Sequence, residues 1–293
     1  MDRIEAMRMF VEAVRANGFA AAARVLDVPR SKVSKQIRAL EEMLGVQLLM
    51  RTTRSLHLTD AGVIYYESAQ ELLAALEEAE EQVRGAGGAR GTLRINAPIS
   101  FGAHVLAPLL PRFHQDNPEV ELRIGLSDQL IDPVSGGFDV SIRIADLKDS
   151  SLAARQIMPA PRHLLASPAC LQRHGTPSEP EDLVGLPFLN YGGLQGGITL
   201  AFSRGEEVRR VRTRGPLMAD NGDFLALMAQ AGMGFVVLPE FICAPAVAAG
   251  RLVPVMTDWQ APPIAVHALF PQSRNMPVRV RRFVDFLVAE LGQ

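Results

Sequence analysis

Between residues 30 and 54 the sequence gathers guanidinium, ammonium and hydroxyl groups: Arg30, Ser31, Lys32, Ser34, Lys35, Arg38, Arg51 and Arg54. Arginine and lysine donate to guanine O6 and N7 or to phosphate oxygens, and serine is a short donor suited to either. The first six fall within nine residues, and two of the chain's three lysines are among them. That surface suits a polyanion, although on its own it also describes an ordinary solvated helix face.

The elements around these residues decide between the two readings. Met7, Phe10, Val11 and Val14 recur at i, i+3, i+4, i+7, one face of a helix that Asn17-Gly18 stops. An alanine-rich helix is expected from Ala20 to Leu26, then a break at Asp27-Val28. Pro29 then opens a helix to about Met43, with Val33, Ile37 and Leu40 inward. Small alanines let two short helices cross closely, as a helix-turn-helix requires. The cations and serines then lie on the outward face of the second helix, whose N-terminus adds partial positive charge. Leu44–Thr59 reads as strand, turn and strand, a hairpin wing tipped by Arg51 and Arg54. Such a tip suits insertion beside a nucleic-acid backbone or into a minor groove.

Charge is distributed to match. Residues 1–58 carry ten basic and six acidic groups, whereas residues 59–90 carry seven acids and two arginines, within a chain of net charge −2. A basic head on an acidic stalk points to a polyanionic partner more directly than the whole-chain balance does.

The stretches FAAAARVLDVPRSKVSKQIRALEEMLGVQLLMRTTR and LTDAG, between Phe19 and Gly62, resemble the DNA-binding region of the LysR-type transcriptional regulators. The resemblance implies a winged helix-turn-helix. In it Arg30, Ser31, Ser34 and Lys35 meet base edges and nearby phosphates, Lys32 and Arg38 contact the backbone, and Arg51 and Arg54 serve the wing. Two residues depart from the family pattern. Ala20 stands where the family usually has a Ser or Thr that caps the second helix, and Pro29 where it often has Ser. An altered target preference is the expected consequence, with Lys32 compensating electrostatically.

Thr59 is a plausible N-cap for a long helix running to Arg84, with Asp60 in its first turn. Tyr65, Ala69, Leu72, Leu76, Ala79 and Val83 are spaced as a short coiled-coil seam, which fits dimerisation through this linker helix. A long helix packed on its own domain would show the same spacing. Gly85–Gly91 reads as a hinge.

Strand and helix patterns alternate from Thr92 onward, which argues α/β with mainly parallel sheets. The phrases LRINAPISFG, LAPLLPRF, FDVSIRI and AQAGMGFVVLPEF resemble the effector-binding part of the same family, which is similar to periplasmic binding proteins. The resemblance implies an α/β multidomain chain. Residues 1–58 form the head and 59–91 the linker helix and hinge. Residues 92–293 form an effector domain, with subdomain I at 92–162 plus 267–293 and subdomain II at 163–266. By the family's layout Ser100, Phe101, Ser127, Arg143, Thr199, Phe202 and Asn221 line a cleft between the subdomains. Ser100, expected to end a strand and cap a helix, would hold a carboxylate with the amides that follow it. A small organic acid is therefore the expected effector. Ser100 is equally readable as a plain cap, Arg143 as a structural ion pair and Phe202 as core.

Other chemistries find little support. The six histidines make no HExxH pair, and GxSxG, P-loop and GxGxxG signatures are missing, so an enzyme is not expected. No cofactor and no metal are expected. Cys170 and Cys243 lie far apart without a CxxC, which excludes a zinc ribbon or a disulfide framework. The charged Met1–Glu5 run leads into no signal-peptide core and no apolar run spans a bilayer, so the cytoplasm is the expected location. The resemblance further implies promoter DNA with partial dyad symmetry, RNA polymerase, and a homodimer assembling to a tetramer.

Overall fold

The computed structural model describes residues 2–51, 56–83, 89–129, 137–145, 153–192, 198–270 and 276–292. α1 (Arg3–Arg15) is opened by Asp2, whose carboxylate accepts from the Ile4 and Glu5 amides. It ends where Asn17 turns left-handed, at φ 48°. α2 (Phe19–Val25) and α3 (Arg30–Leu44) follow. Ala22 and Ala23 are buried between them, and Phe10, Val33, Ile37 and Leu40 are sealed from solvent, the apolar faces marked by the helical spacing. The N-cap of α2 is Gly18, and Ala20 lies inside the helix. The cap missing from α2 is therefore missing at Gly18.

β1 (Leu49–Arg51) and β2 (Leu56–Leu58) form the expected antiparallel hairpin, with Leu49 opposite Leu58. The wing tip with Arg54, the expected helix end at Arg84 and residues 85–88 of the expected hinge lie outside the described residues. α4 (Asp60–Val83) is the long linker helix. Thr59 Oγ1 accepts from the Gly62 amide at 2.9 Å and donates to the Gln47 carbonyl at 2.7 Å, so the N-cap also pins the helix to the hairpin. A Cβ on Gly62 would overlap the Leu48 carbonyl oxygen, a close approach that only glycine permits.

The start of the expected coiled-coil seam is spent inside the head. Tyr65 packs at a tilt against Phe10, ring centres 5.7 Å apart, and Ala69 is fully buried. The apolar side chains that α4 leaves in solvent nearby are Val63, Ile64 and Leu72.

β3 (Gly91–Ala97) leads into one run of helix: α5 (Ile99–Phe101), a π-helical turn (Gly102–Leu106) and α6 (Ala107–Asp116). β4 (Val120–Leu126), β5 (Val140–Ala145) and β6 (Ala153–Pro159) complete the first pass through one sheet. The chain crosses over at β7 (Arg162–Ala166) and continues through α7 (Pro168–His174) and β8 (Phe188–Tyr191). A hairpin of β9 (Ile198–Arg204) and β10 (Glu207–Thr213) precedes β11 (Leu217–Ala219), α8 (Gly222–Gln230), β12 (Phe235–Pro239), α9 (Glu240–Ala248) and β13 (Val253–Pro254). It returns with β14 (Ala265–Phe270) and α10 (Val278–Leu291).

The sheet orders are β4-β3-β5-β14-β6 and β11-β8-β12-β7-β13. The expectation of mainly parallel sheets needs correction, because each is half antiparallel. β14 runs against β5 and β6, and β7 against β12 and β13. These are the strands that carry the chain across, and they enter each sheet from the opposite end. Leu93, Ile95, Phe113, Val284 and Leu287 share the first core, where Phe113 meets Phe283 edge-on at 5.2 Å.

Four charges fasten the head to the first sheet. Arg94 Nη2 lies 2.8 Å from Glu12, and Arg15 Nη2 lies 3.4 Å from Asp139. Asp139 also accepts from the Arg94 amide at 2.8 Å. Glu12 and Asp139 are each only 7% exposed, so each depends on its partner. Burial would lower the Arg15 guanidinium, but Asp139, Tyr66 and Glu12 outweigh it and raise it. Burial raises the Tyr66 phenol too.

Neutralising Glu12 and Arg94 singly and together (Glu12→Gln, Arg94→Gln) should give a double-mutant coupling of about 1–3 kcal/mol in urea melts, and a value near zero would remove this pair from the head's anchorage. Both cysteines are buried and free, and burial pushes the Cys243 thiol up to about 11. At pH 7 its thiolate fraction is on the order of one in ten thousand. Ellman's reagent should therefore label neither cysteine in the folded protein and both in guanidinium; rapid native labelling would contradict this burial.

Candidate nucleic-acid interface and ligand cleft

α3 is held by its buried face, Val33, Ile37 and Leu40, so its opposite face is committed to solvent. Arg30, Ser31, Lys32, Lys35 and Arg38 are exposed there, and Ser34 is half-buried. The helix has no side-chain cap: Pro29 sits at the N-cap in extended backbone and supplies its carbonyl to the Lys32 amide at 2.9 Å. The first amides are thus open to an anion. The hairpin is set against this helix by Glu41, whose carboxylate accepts from the Leu48 and Leu49 amides at 2.9 and 3.1 Å. Lys32 behaves differently from its neighbours, because its ammonium is 2.6 Å from Glu5 on α1. The side chains of Arg51 and Arg54 lie outside the described residues.

In the effector domain three of the expected cleft residues converge. Ser100 is 5% exposed, Ser127 follows the end of β4, and Asn221 caps α8 by accepting from the Phe224 amide at 2.9 Å. The expected role of Ser100 as a cap needs correction. Pro98 occupies the N-cap, Ser100 lies inside the helix, and its hydroxyl has no partner among the described residues. The seat at this helix start is taken by a residue that the sequence reading missed. Asp128 Oδ1 accepts from the Ile99 amide at 3.0 Å, and Asp128 Oδ2 accepts from Asn221 Nδ2 at 2.8 Å. One carboxylate therefore ties the first subdomain to the cap of α8 in the second. A second tie, also unforeseen, joins His104 Nε2 to Asp223 at 2.8 Å.

The remaining expected residues are dispersed. Phe101 is sealed in the first core, edge-on to Phe241 at 5.8 Å. Phe202 is fully buried in the second core, and Thr199 is exposed on the same hairpin, opposite Arg212. Arg143 donates to the Gln129 carbonyl at 3.3 Å. Tyr191 is half exposed at the end of β8, and burial followed by Asp128 and Asp220 raises its hydroxyl pKa. Tyr191 and Asp128 carry no sequence signal of their own, since what assigns them is the meeting of two strand ends distant in sequence.

Comparison with known proteins agrees with this division. Residues 4–63 match the model of the bacterial regulatory helix-turn-helix protein, lysR family, and residues 86–292 match the LysR substrate binding domain. The chain is 36% identical to the HTH-type transcriptional regulator PtxR of Pseudomonas aeruginosa over 285 residues, covering 97% of this chain and 91% of that protein. Among solved structures, CrgA, a LysR-type transcriptional regulator from Neisseria meningitidis, superposes with a TM-score of 0.63 at 31% identity over 99% of each chain. The Vibrio cholerae virulence activator AphB superposes with a TM-score of 0.59 at 27% identity, over 98% of this chain and 99% of its own. No helix among the described residues is long and apolar enough to cross a membrane. The head, the two-sheet domain and these relatives lead to one assignment: the chain belongs to the LysR family and is a DNA-binding transcriptional regulator, not an enzyme, with a C-terminal effector-binding domain.

Proposed function

We propose that paired heads of this regulator grip a partly dyad-symmetric promoter site, and that a small organic effector between the subdomains changes the angle between them. The observation that carries this reading is the two-sided α3, with Val33, Ile37 and Leu40 locked in the core and Arg30, Ser31, Lys35 and Arg38 presented outward. Arg30, Ser31, Ser34 and Lys35 read bases and near phosphates. Arg38, with Lys32 and the wing residues Arg51 and Arg54, holds the backbone. Two copies supply the two half-sites. The dimer forms through α4 and assembles to a tetramer, acting in the cytoplasm and on RNA polymerase. With Tyr65 and Ala69 engaged in the head, the α4 surface left for a second copy runs through Ile64 and Leu72. Ser100, Ser127 and Asn221 form the floor of the effector site, Arg143 its margin and Phe101 the packing beneath, whereas Thr199 and Phe202, on the β9–β10 hairpin, would bear on it only indirectly. An effector acts only by binding one arrangement of the subdomains better than the other. The ties from Asp128 to Asn221 and from His104 to Asp223 are bonds that such a rearrangement must break or keep.

Fluorescence anisotropy on DNA from upstream of the protein's own gene, across a salt series, tests the head. Lys35→Ala should blunt discrimination against scrambled DNA. Arg38→Ala should weaken binding to both and lower the salt slope by about 1. Unchanged binding in both variants would remove α3 as the reading element. Sedimentation of an Ile64→Glu/Leu72→Glu variant should show loss of the dimer with the head still folded; a dimer that persists would place the pairing surface elsewhere.

A further inference from the structure

We propose that the effector cleft takes a cationic ligand, a small alkyl- or aryl-ammonium, rather than an organic acid, because the chain supplies its own carboxylate at the anion seat. The inference rests on the reading of this cleft as the effector site. A helix start with no side-chain cap leaves amides that attract an anion. Here Asp128 fills that position, with one oxygen on the Ile99 amide at 3.0 Å and the other on Asn221 Nδ2 at 2.8 Å. A ligand carboxylate would have to displace a group held in place by its own backbone, and the displaced Asp128 would remain beside it as a like charge.

The groups around Asp128 are arranged for a donor. A carboxylate has about four acceptor positions, and the two bonds described leave others to face the cleft. Tyr191 pairs across the parallel strands with Ala219, so the ends of β8 and β11, with Asp220 the next residue along, meet at one rim. An aromatic face flanked by carboxylates attracts an ammonium both through the ring quadrupole and through charge. Burial raises the Tyr191 hydroxyl first, and Asp128 and Asp220 add to it, in keeping with two carboxylates in its neighbourhood. Ser100 is an independent observation. It is 95% buried, being 5% exposed, and its Oγ has no partner among the described residues. That Oγ lies 3.8 Å from where a Cβ on Gly222 would stand, so it faces the start of α8 across the cleft. There its hydroxyl is open to a ligand, and beside Asp128 an N–H of that ligand can give it a hydrogen bond. Arg143 on β5 donates to the Gln129 carbonyl.

Thermal melting of the full-length protein with benzylamine hydrochloride and with sodium benzoate, at matched ionic strength, tests the assignment. Benzylamine should raise the melting temperature saturably, and benzoate should do no more than sodium chloride. Asp220→Asn, a change at an exposed position, should weaken benzylamine by roughly tenfold or more, as expected for a lost charge-assisted contact. Asp128→Ala should empty the seat, so that benzoate now stabilises while benzylamine weakens. Benzoate stabilising the wild type, benzylamine having no effect, or benzylamine binding unchanged in Asp220→Asn would each overturn the proposal. Should Asp128→Ala not fold, the wild-type and Asp220→Asn comparison still decides. DNA affinity measured in parallel separates the two levels. Benzylamine that stabilises without altering DNA binding would keep the cation site and remove its role as effector site. Benzoate that alters DNA binding would keep the effector site and remove the cation assignment.

Discussion

Glu12, Arg15, Arg94 and Asp139 alternate in charge across the seam between α1 and the first sheet, and the placement of the head depends on them. Two of the four come from the head and two from the effector domain, and both ion pairs cross the seam. Removing one member leaves its partner's charge uncompensated in a low-dielectric seam, which is far costlier than losing an exposed pair. Such a contact contributes more to specificity of position than to net stability. The backbone agrees with it, because Gly137 packs directly against Arg15, and a Cβ there would fall 2.8 Å from Arg15 Cβ. A side chain at 137 would push the seam apart.

The seam and the cleft share a strand. Arg94 lies in the middle of β3, and that strand runs on through Pro98 into the helix start where Asp128 is seated. At about 3.3 Å per extended residue, the two sites are on the order of 20 Å apart along continuous backbone. Asp139, which accepts the Arg94 amide, precedes β5, and β5 pairs with β3 at Ile95 and Asn96. A rearrangement of the subdomains therefore meets, within two neighbouring strands, the charges that hold the head. Distance alone does not make coupling. What would make it physical is an element with two discrete arrangements, and a charge cluster whose pairs are either made or broken would be one.

The head was legible because its determinants are local. Val33, Ile37 and Leu40 repeat with the helical period, Asn17-Gly18 marks a stop, and Thr59 caps the next helix through its own neighbours. The stalk was legible in extent and only partly in purpose. A 4-3 spacing says that Tyr65 and Ala69 bury a face, but not that Phe10 from the same head covers it. Ser100 shows the limit most clearly. A serine after Pro-Ile at a strand end reads as a cap, yet the acceptor for the Ile99 amide is Asp128, just beyond the matching end of the adjacent parallel strand. The antiparallel placement of β7 and β14 was hidden for the same reason, since local alternation reports burial and not direction. Phe101 and Phe202 have the composition of ligand contacts but the neighbours of a core, which only the packed structure distinguishes.

Charge placement explains how one modestly acidic chain approaches a polyanion from a single side. The basic groups gather on the outward face of α3 and in the wing, while the acids concentrate on the stalk. At physiological salt the screening length is about 8 Å, so a phosphate near α3 senses that helix and little of the stalk behind it. Lys32 fits the same logic. Its pair with Glu5 is close, at 2.6 Å, but the two side chains are 44% and 36% exposed. An exposed pair of this kind contributes only about 0–1 kcal/mol, so exchanging Glu5 for a phosphate oxygen costs little. If Lys32 holds the DNA backbone as proposed, it would do so by exchanging Glu5 for a phosphate oxygen instead of ordering a free side chain.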